Sequence, residues 1–154
     1  MAKTAGVSPL KSHLGYRLRI VSNAVSHSFA RKLSSCGITV AEWVILREMY
    51  SGKEKTAPSA VADMTGLTRG AVSKLIDRLL AKGLVRRSES SEDRRYQEIV
   101  LTTKAIKLIP KLTSIADEND ESFFSVLPDN EKKALMKVLV KLAELHGLNT
   151  NPIE

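Results

Sequence analysis

The sequence has very few of the residues on which covalent cross-links and metal sites depend. Cys36 is its single cysteine, so an internal disulfide framework is excluded. The three histidines, His13, His27 and His146, are scattered, and none stands at metal-ligand spacing with Cys36 or with a carboxylate. We therefore predict neither a metal site nor a cofactor.

Sequence patterns for catalysis and for membrane insertion are also missing. There is no glycine-rich phosphate loop, and the hydroxyls of Ser59 and Ser73 lack the nucleophile, base and orienting group that acyl transfer requires. No long apolar run and no signal-type segment occurs, so we expect a soluble cytoplasmic protein without a membrane partner. The sequence does not favour an enzyme.

Negative charge is absent from the first quarter of the chain. Residues 1–41 contain six Lys and Arg but no Asp or Glu, whereas residues 103–154 contain seven basic and eight acidic residues. The net charge of +7 over 154 residues, with a pI of about 9.6, favours a polyanionic partner. A basic N-terminal part is also compatible with solubility alone, or with a membrane-surface segment.

The segment 56–104 has the pattern of a helix-turn-helix followed by a β-wing. Pro58 stands where a first helical residue is expected, and Gly66 allows a sharp reversal after the short helix. Thr68 is a good N-cap for a second helix. This arrangement is typical of proteins that read duplex DNA.

The second helix of this pair has one apolar and one polar face. Its apolar residues recur at the helical period: Val72, Leu75, Ile76, Leu79 and Leu80. Its other face carries the hydroxyls, glycine and cations that suit phosphates and base edges: Arg69, Gly70, Ser73, Lys74, Asp77 and Arg78.

Two short β patterns follow, at residues 84–87 and 96–101, joined by the polar tip 88–95. Such a tip can place Arg95 in the narrow minor groove, where the potential is most negative. Asp93, two residues earlier, could hold Arg95 by a salt bridge. Taken alone, the hairpin is equally well explained as an exposed charged loop on a sheet edge, but its position directly after a helix-turn-helix favours the wing.

The order and spacing of several blocks resemble the MarR family of bacterial transcriptional regulators, which are winged-helix homodimers. The matching blocks run over nearly the whole chain: Gly37-Ile38-Thr39, Glu42-Trp43-Val44-Ile45-Leu46-Arg47, residues 66–73, Asp77-Arg78-Leu79, residues 83–87, Asp93-Arg94-Arg95 and Leu101-Thr102. The resemblance implies a recognition helix at residues 68–82 in the major groove and Arg95 in the minor groove. From the resemblance and the faces above, we predict these DNA-binding residues: Ser59, Thr68, Arg69, Gly70, Ser73, Lys74, Arg78, Arg87, Asp93, Arg94 and Arg95.

The flanks of this segment have the pattern of dimerisation helices. Ser8-Pro9 is typical of a helix start, and apolar residues at steps of three or four predict a helix of about 25 residues from there to Leu33. Thr39 and Glu42 form a capping-box pattern for the next helix. Two further helices are predicted over 104–127, with a bend at Pro110, and over 131–146. Terminal helices this long usually pack on a symmetry mate; a monomer with the helices folded back is the alternative.

The signal that controls such a regulator is less well defined by the sequence. Family members often respond to aromatic acids or phenolics in a cleft between the DNA-reading and dimer parts. We expect that cleft to be lined from the first, second and fifth helices, with these polar and aromatic residues: His13, Tyr16, Arg17, Trp43, Arg47 and Tyr50. Core packing for Trp43, and a solvated face for Arg17 and Arg47, are the simpler interpretations of each residue taken singly.

Thiol oxidation is the other candidate signal. Cys36 lies at the end of the first long helix, where the helix dipole disfavours a thiolate. It is also not at the position, near the start of that helix, that the family's peroxide sensors use. We therefore expect a small, partly buried side chain, with a redox-sensing regulator as the alternative.

Taken together, the sequence predicts a mainly α protein with a small β-wing, forming a single MarR-like domain over 1–154. Its winged helix-turn-helix spans 39–103, and its dimerisation helices span 8–35 and 104–147. We expect a homodimeric, sequence-specific DNA-binding regulator, a repressor rather than an activator, released from a pseudo-palindromic operator by a small effector. A winged-helix module for protein–protein contact is the alternative, but it would require an apolar or acidic face where this helix is cationic and hydroxylated.

Overall fold

Six α-helices and one small antiparallel sheet form the structure, a computed structural model that describes residues 6–52 and 54–154. The helices are α1 (Leu14–Ser34), α2 (Val40–Ser51), α3 (Pro58–Thr65), α4 (Arg69–Ala81), α5 (Thr103–Phe124) and α6 (Asp129–Leu145). The strands are β1 (Lys55–Thr56), β2 (Val85–Glu89) and β3 (Gln97–Leu101). The predicted mainly α fold with a β-wing is confirmed. The predicted ranges 1–154 and 39–103 include residues 1–5 and 53, which lie outside the described residues.

The wing sheet has the strand order β1-β3-β2, so β3 is its central strand. In the wing hairpin, Val85 pairs with Leu101 and Glu89 with Gln97. Lys55 pairs with Val100 on the other side of β3. The hairpin was predicted from the sequence. Strand β1 was not, because a two-residue strand has no periodicity of its own.

The hydrophobic core lies inside the helix-turn-helix part and the adjoining half of α5. It joins α2, α3, α4, the wing base and α5, with Leu33 at the end of α1. The fully buried large apolar side chains are Leu33, Ile45, Leu46, Val61, Leu75, Leu79, Leu84, Ile99, Ile109 and Leu112. Helices α3 and α4 and the base of the wing therefore pack against one shared hydrophobic core.

The first long helix is shorter than the sequence pattern predicted. Leu10–Ser12 form a separate 3-10 turn, and His13 is extended, with φ −80° and ψ 126°, before α1 begins at Leu14. The Ser12 hydroxyl and its backbone N–H both bond to the carbonyl of Pro9, which closes the turn locally. The prediction of one helix from Ser8-Pro9 was wrong because side-chain bonding to the backbone competes with helix continuation.

The two C-terminal helices begin and end close to their predicted limits. Helix α5 runs from Thr103 to Phe124 through Pro110 as one assigned helix, and the bend expected at Pro110 stays a prediction. The Thr102 hydroxyl caps α5 by accepting from the backbone N–H of Ala105. Helix α6 begins after Pro128, which provides no side-chain cap.

Large apolar side chains remain exposed along α6 and the first half of α1. Leu14 is 87% exposed and Met136 is 63% exposed. None of the described residues of α6 is buried, although its apolar residues recur at helical spacing. The other exposed apolar residues of these helices are Leu18, Ile20, Val21, Leu135, Val138, Leu139, Val140, Leu142 and Leu145. Within residues 6–52 and 54–154, these faces remain largely uncovered.

Candidate nucleic-acid interface

The turn between α3 and α4 is fixed by backbone geometry and by one buried hydroxyl. Gly66 ends α3 in the left-handed region, at φ 70°, where side chains other than glycine are strained. The Thr65 hydroxyl donates to the carbonyl of Val61 at 2.7 Å and accepts from the backbone N–H of Leu67. Thr68 then caps α4 by accepting from the N–H of Ala71. Both predicted features, the glycine turn and the threonine cap, are confirmed.

Helix α4 separates its two faces as the sequence pattern predicted. Val72, Leu75, Ile76 and Leu79 are buried against the core. The predicted DNA-contacting residues of this helix all lie on the exposed face: Arg69, Gly70, Ser73, Lys74 and Arg78. Ser59 and Thr68, in the first turn of α3 and at the α4 cap, are exposed as well. The helix therefore presents hydroxyls and cations to solvent along its length.

A buried carboxylate fixes the C-terminal end of α4. The side chain of Glu42 is fully buried, and both of its oxygens accept from Lys82 Nζ, at 2.8 and 2.7 Å. Glu42 also accepts from the backbone N–H of Thr39, which completes the predicted capping box of α2. Arg78 Nε approaches the same carboxylate at 3.7 Å. One carboxylate thus caps α2 and binds two cations of α4.

The ammonium group of Lys82 joins this carboxylate to its surroundings. Its Nζ also donates to the carbonyl of Gly37 at 2.7 Å, and Lys104 Nζ donates to the carbonyl of Lys82. The Thr102 hydroxyl donates to the carbonyl of Gly83. These contacts link α4 to the α1–α2 turn and to the start of α5. This role of Lys82 was not predicted from the sequence, because Lys at a helix end is ordinarily explained by the helix dipole.

At the tip of the wing, Asp93 holds Arg95 in a fixed orientation. Arg95 Nε donates to both carboxylate oxygens of Asp93, at 3.1 and 3.2 Å, and one terminal nitrogen donates at 2.8 Å. The backbone N–H of Arg95 donates to the same carboxylate. These bonds lower the pKa of Asp93 and raise the pKa of Arg95. The predicted salt bridge is confirmed, and the Arg95 side chain is 86% exposed.

The base of the wing contacts α4 and the short first strand. Arg87 on β2 lies 3.6 Å from Asp77 on α4. Lys55 on β1 pairs with Glu98 on β3 at 3.5 Å and donates to the Ser91 hydroxyl at the tip. Arg94 is exposed. The wing is therefore connected to the rest of the interface on both of its edges.

The six predicted pocket residues lie on two parts of the chain, the start of α1 and helix α2. His13, Tyr16 and Arg17 are at the start of α1, where Arg17 Nε donates to the carbonyl of Lys11. Arg47 and Tyr50 lie together near the end of α2, with the guanidinium 6.0 Å from the ring centre.

Trp43, near the start of α2, borders a cavity. It packs edge-to-face on Phe29, with ring centres 6.1 Å apart, and lines a cavity of about 190 Å³ between α1 and α2. A neighbouring cavity of about 290 Å³ lies between α1 and α5, and Ser26 and Phe29 line both.

Cys36 follows the end of α1, as predicted. The side chain is half-buried against the core, and its Sγ lies 4.0 Å from the Ser35 hydroxyl. Lys82 and Lys104 line the same cavity as Cys36, but both ammonium groups already donate to protein oxygens. The observed environment is that of a packed side chain.

Among the residues described, no three His, Cys, Asp or Glu side chains are grouped as a metal ion would require. The same part of the chain contains no helix that is both long and apolar enough to cross a membrane.

Comparison with known proteins shows one family model and several solved structures to which this chain is similar. Residues 37–95 match the MarR family model. BpsR from Bordetella bronchiseptica, whose structure concerns regulation of DNA binding by 6-hydroxynicotinic acid, is 23% identical, with 90% of this chain and 98% of that chain covered and a TM-score of 0.77. A cysteine-to-serine mutant of E. coli MarR complexed with operator DNA is 22% identical, with 84% and 92% covered and a TM-score of 0.73. A mutant of S. aureus MepR is 28% identical, with 86% and 97% covered and a TM-score of 0.73.

Proposed function

We propose that the chain is a MarR-family winged-helix repressor that binds a pseudo-palindromic operator as a homodimer and leaves it when a small effector binds. The match of residues 37–95 to the MarR family model and the likeness to solved structures of such regulators support this proposal. The observation that carries the proposal is the exposed face of α4, together with the fixed guanidinium of Arg95. Family members of this kind are transcription regulators and not enzymes.

In the proposed complex, α4 enters the major groove with Ser73 and Lys74 toward the base edges. Both residues lie one turn into the helix on the face opposite the buried Leu75 and Ile76, so their side chains can reach bases or nearby phosphates. Arg95 enters the adjoining minor groove, where narrow width concentrates negative potential. Asp93 reduces the conformational freedom that Arg95 would otherwise lose on binding.

A homodimer is supported by the unpaired apolar faces of α1 and α6. A monomer in water rarely exposes so many large apolar residues in continuous stripes. Two-fold symmetry would also match the two half-sites of a palindrome.

Charge complementarity indicates how the second copy would dock. A crevice of about 310 Å³ between α5 and α6 is lined by apolar Leu135 and Leu139, by acidic Asp117, Asp120 and Glu121, and by Lys132, which pairs with Glu121 at 4.0 Å. Burial, together with the charge of Asp117, raises the pKa of Asp120, so an approaching cation would relieve an unfavourable site. The start of α1, which is basic and apolar, offers such a cation.

The effector would occupy the two neighbouring cavities among α1, α2 and α5, which share Ser26 and Phe29. Their walls combine the rings of Phe29 and Trp43 with the Ser26 hydroxyl and the buried amide of Asn119. A volume of about 290 Å³ suits a small aromatic or phenolic compound, at the lower end of ligand pockets (roughly 300 Å³). The regulation of BpsR by 6-hydroxynicotinic acid supports this ligand class.

The DNA-binding mode can be tested with two alanine variants. A duplex selected from a random library by the wild-type protein serves as the operator, and a scrambled duplex serves as the reference, both measured by fluorescence anisotropy across a salt series. Lys74→Ala should weaken operator binding by about 1–3 kcal/mol per half-site if Lys74 reaches a guanine, and relax sequence preference there. Arg95→Ala should weaken both duplexes by similar factors and flatten the salt dependence by about one unit per arginine.

Lys133→Ala is the charge-matched control, because it removes one exposed cation from α6 and not from the interface. Wild-type affinity and salt slope for Arg95→Ala on both duplexes would show that the wing is not a DNA contact. Failure of the wild-type protein to enrich any duplex would refute the proposed function itself.

A further inference from the structure

The segment after α6, residues 148–154, turns back onto the helix-turn-helix, and we call it the tail segment. The reversal is made at Gly147, at φ 61°, and the backbone N–H of Leu148 donates to the carbonyl of Ala143. A glycine in this conformation followed by such a bond is a common way to end a helix and redirect the chain. The tail segment therefore leaves α6 in a defined direction.

One backbone hydrogen bond attaches the tail segment to the end of α3. The N–H of Asn151 donates to the carbonyl of Met64 at 2.9 Å. Met64 lies in the last turn of α3, where carbonyls have no partner within the helix. The Thr150 methyl group also lies 3.7 Å from the position that a Cβ on Gly66 would take. Both contacts fall on the turn that orients α4.

The residues that follow border one end of the groove between α1 and α2. Pro152 and Glu154 line its cavity together with Phe29, Val40 and Trp43. Asn151 and Ile153 are half-buried, whereas residues 146–150, Pro152 and Glu154 are exposed. Partial burial thus begins at Asn151 and alternates along the segment, as expected for a segment that lies along the edge of the groove.

We propose that residues 151–154 are a strap that couples α6 to the helix-turn-helix. Helix α6 contributes no described residue to the core. The strap is therefore a direct contact through which a movement of α6 can change the position of α3. Pro152 has a fixed φ and no N–H, which lowers the entropy lost on docking. A docked strap orders the α3–α4 turn in advance, and its release loosens that turn and weakens DNA binding.

The single tryptophan of the chain makes the docking directly measurable. Trp43 shares its cavity with the strap, so its emission reports whether the groove is covered. In Pro152→Asp combined with Ile153→Asp, one carboxylate replaces the half-buried apolar side chain of Ile153 and opposes docking, and the second stands at the exposed edge of the groove. We expect a red-shifted Trp43 emission and stronger acrylamide quenching. Leu148→Asp combined with Asn149→Asp adds the same charge at exposed positions outside the groove and should leave both signals unchanged.

The single hydrogen bond is tested by a second pair of variants. Asn151→Pro removes the N–H that Met64 accepts, whereas Asn151→Ala keeps it. We expect the proline variant alone to shift the emission toward that of the released form. Identical emission in wild-type and released forms would overturn the docking.

The coupling to DNA rests on the proposed function and is measured separately. Release of the strap should weaken operator binding by about 2- to 10-fold, the effect of one hydrogen bond. Shifted emission with unchanged operator affinity would overturn the coupling. Loss of DNA binding by every form, including wild type, would instead refute the proposed function, and the docking would still be decided by the emission.

Discussion

The ion pair between Glu42 and Lys82 offers a quantitative test of how α4 is held. Lys82→Met keeps the length and the apolar stem of the side chain but removes the ammonium group. Glu42 would then remain fully buried, with the N–H of Thr39 as one partner and Arg78 at 3.7 Å as its remaining cation. The variant also loses the bond to the carbonyl of Gly37.

The size of the effect follows from the unequal exposure of the two partners. Removing one member of a buried pair costs about 3–5 kcal/mol, whereas an exposed pair contributes about 0–1 kcal/mol. The Glu42 side chain is 0% exposed but that of Lys82 is 35% exposed, so solvent screens the pair in part. We expect Lys82→Met to lower the free energy of unfolding by about 2 kcal/mol, between these limits.

Glu42→Gln should cost less, about 1 kcal/mol, because the amide oxygen can still accept from Thr39 and the freed ammonium group can reach water. The double variant should then be less destabilised than the sum of the two, since its buried charge is gone. Urea unfolding followed by circular dichroism measures all three. A loss below about 0.5 kcal/mol for Lys82→Met, within the range of ordinary surface substitutions, would refute the reasoning.

Two further predictions concern assembly and the thiol. If the exposed faces of α1 and α6 dimerise, light scattering should report about twice the 16.9 kDa chain mass, and Leu139→Asp should give a folded monomer. Tyr96→Asp, on the exposed wing, should remain dimeric, and a monodisperse wild-type monomer at micromolar concentration would contradict the assembly. Cys36→Ser should keep wild-type DNA binding and wild-type sensitivity to peroxide, because the thiol is packed and both nearby ammonium groups are engaged. Loss of a peroxide-induced release of DNA in this variant would instead identify a redox sensor.

The local features of the winged helix-turn-helix were predictable from the sequence. The cap at Thr68, the left-handed Gly66 and the capping box of Thr39 with Glu42 are confirmed, as is the pairing of Asp93 with Arg95. Each depends on residues within a few positions of one another, so backbone sterics and short-range hydrogen bonds decide it. The predicted start of the first helix was wrong because Ser12 and Pro9 form a competing local turn.

Contacts between distant parts of the chain were decided by the tertiary structure. Glu42 and Lys82 are 40 positions apart, and Lys32 and Asn119 are 87 positions apart. In the sequence, Glu42 fits an ordinary cap and the two lysines fit exposed charges, while Asn119 is one polar residue among many in the pattern of α5. Their pairing depends on how all the helices pack together, because the ends of several helices must reach one place before a buried carboxylate finds its cation. The sequence by itself determined the helices, the turn and the wing, and the packing determined which groups hold them in position.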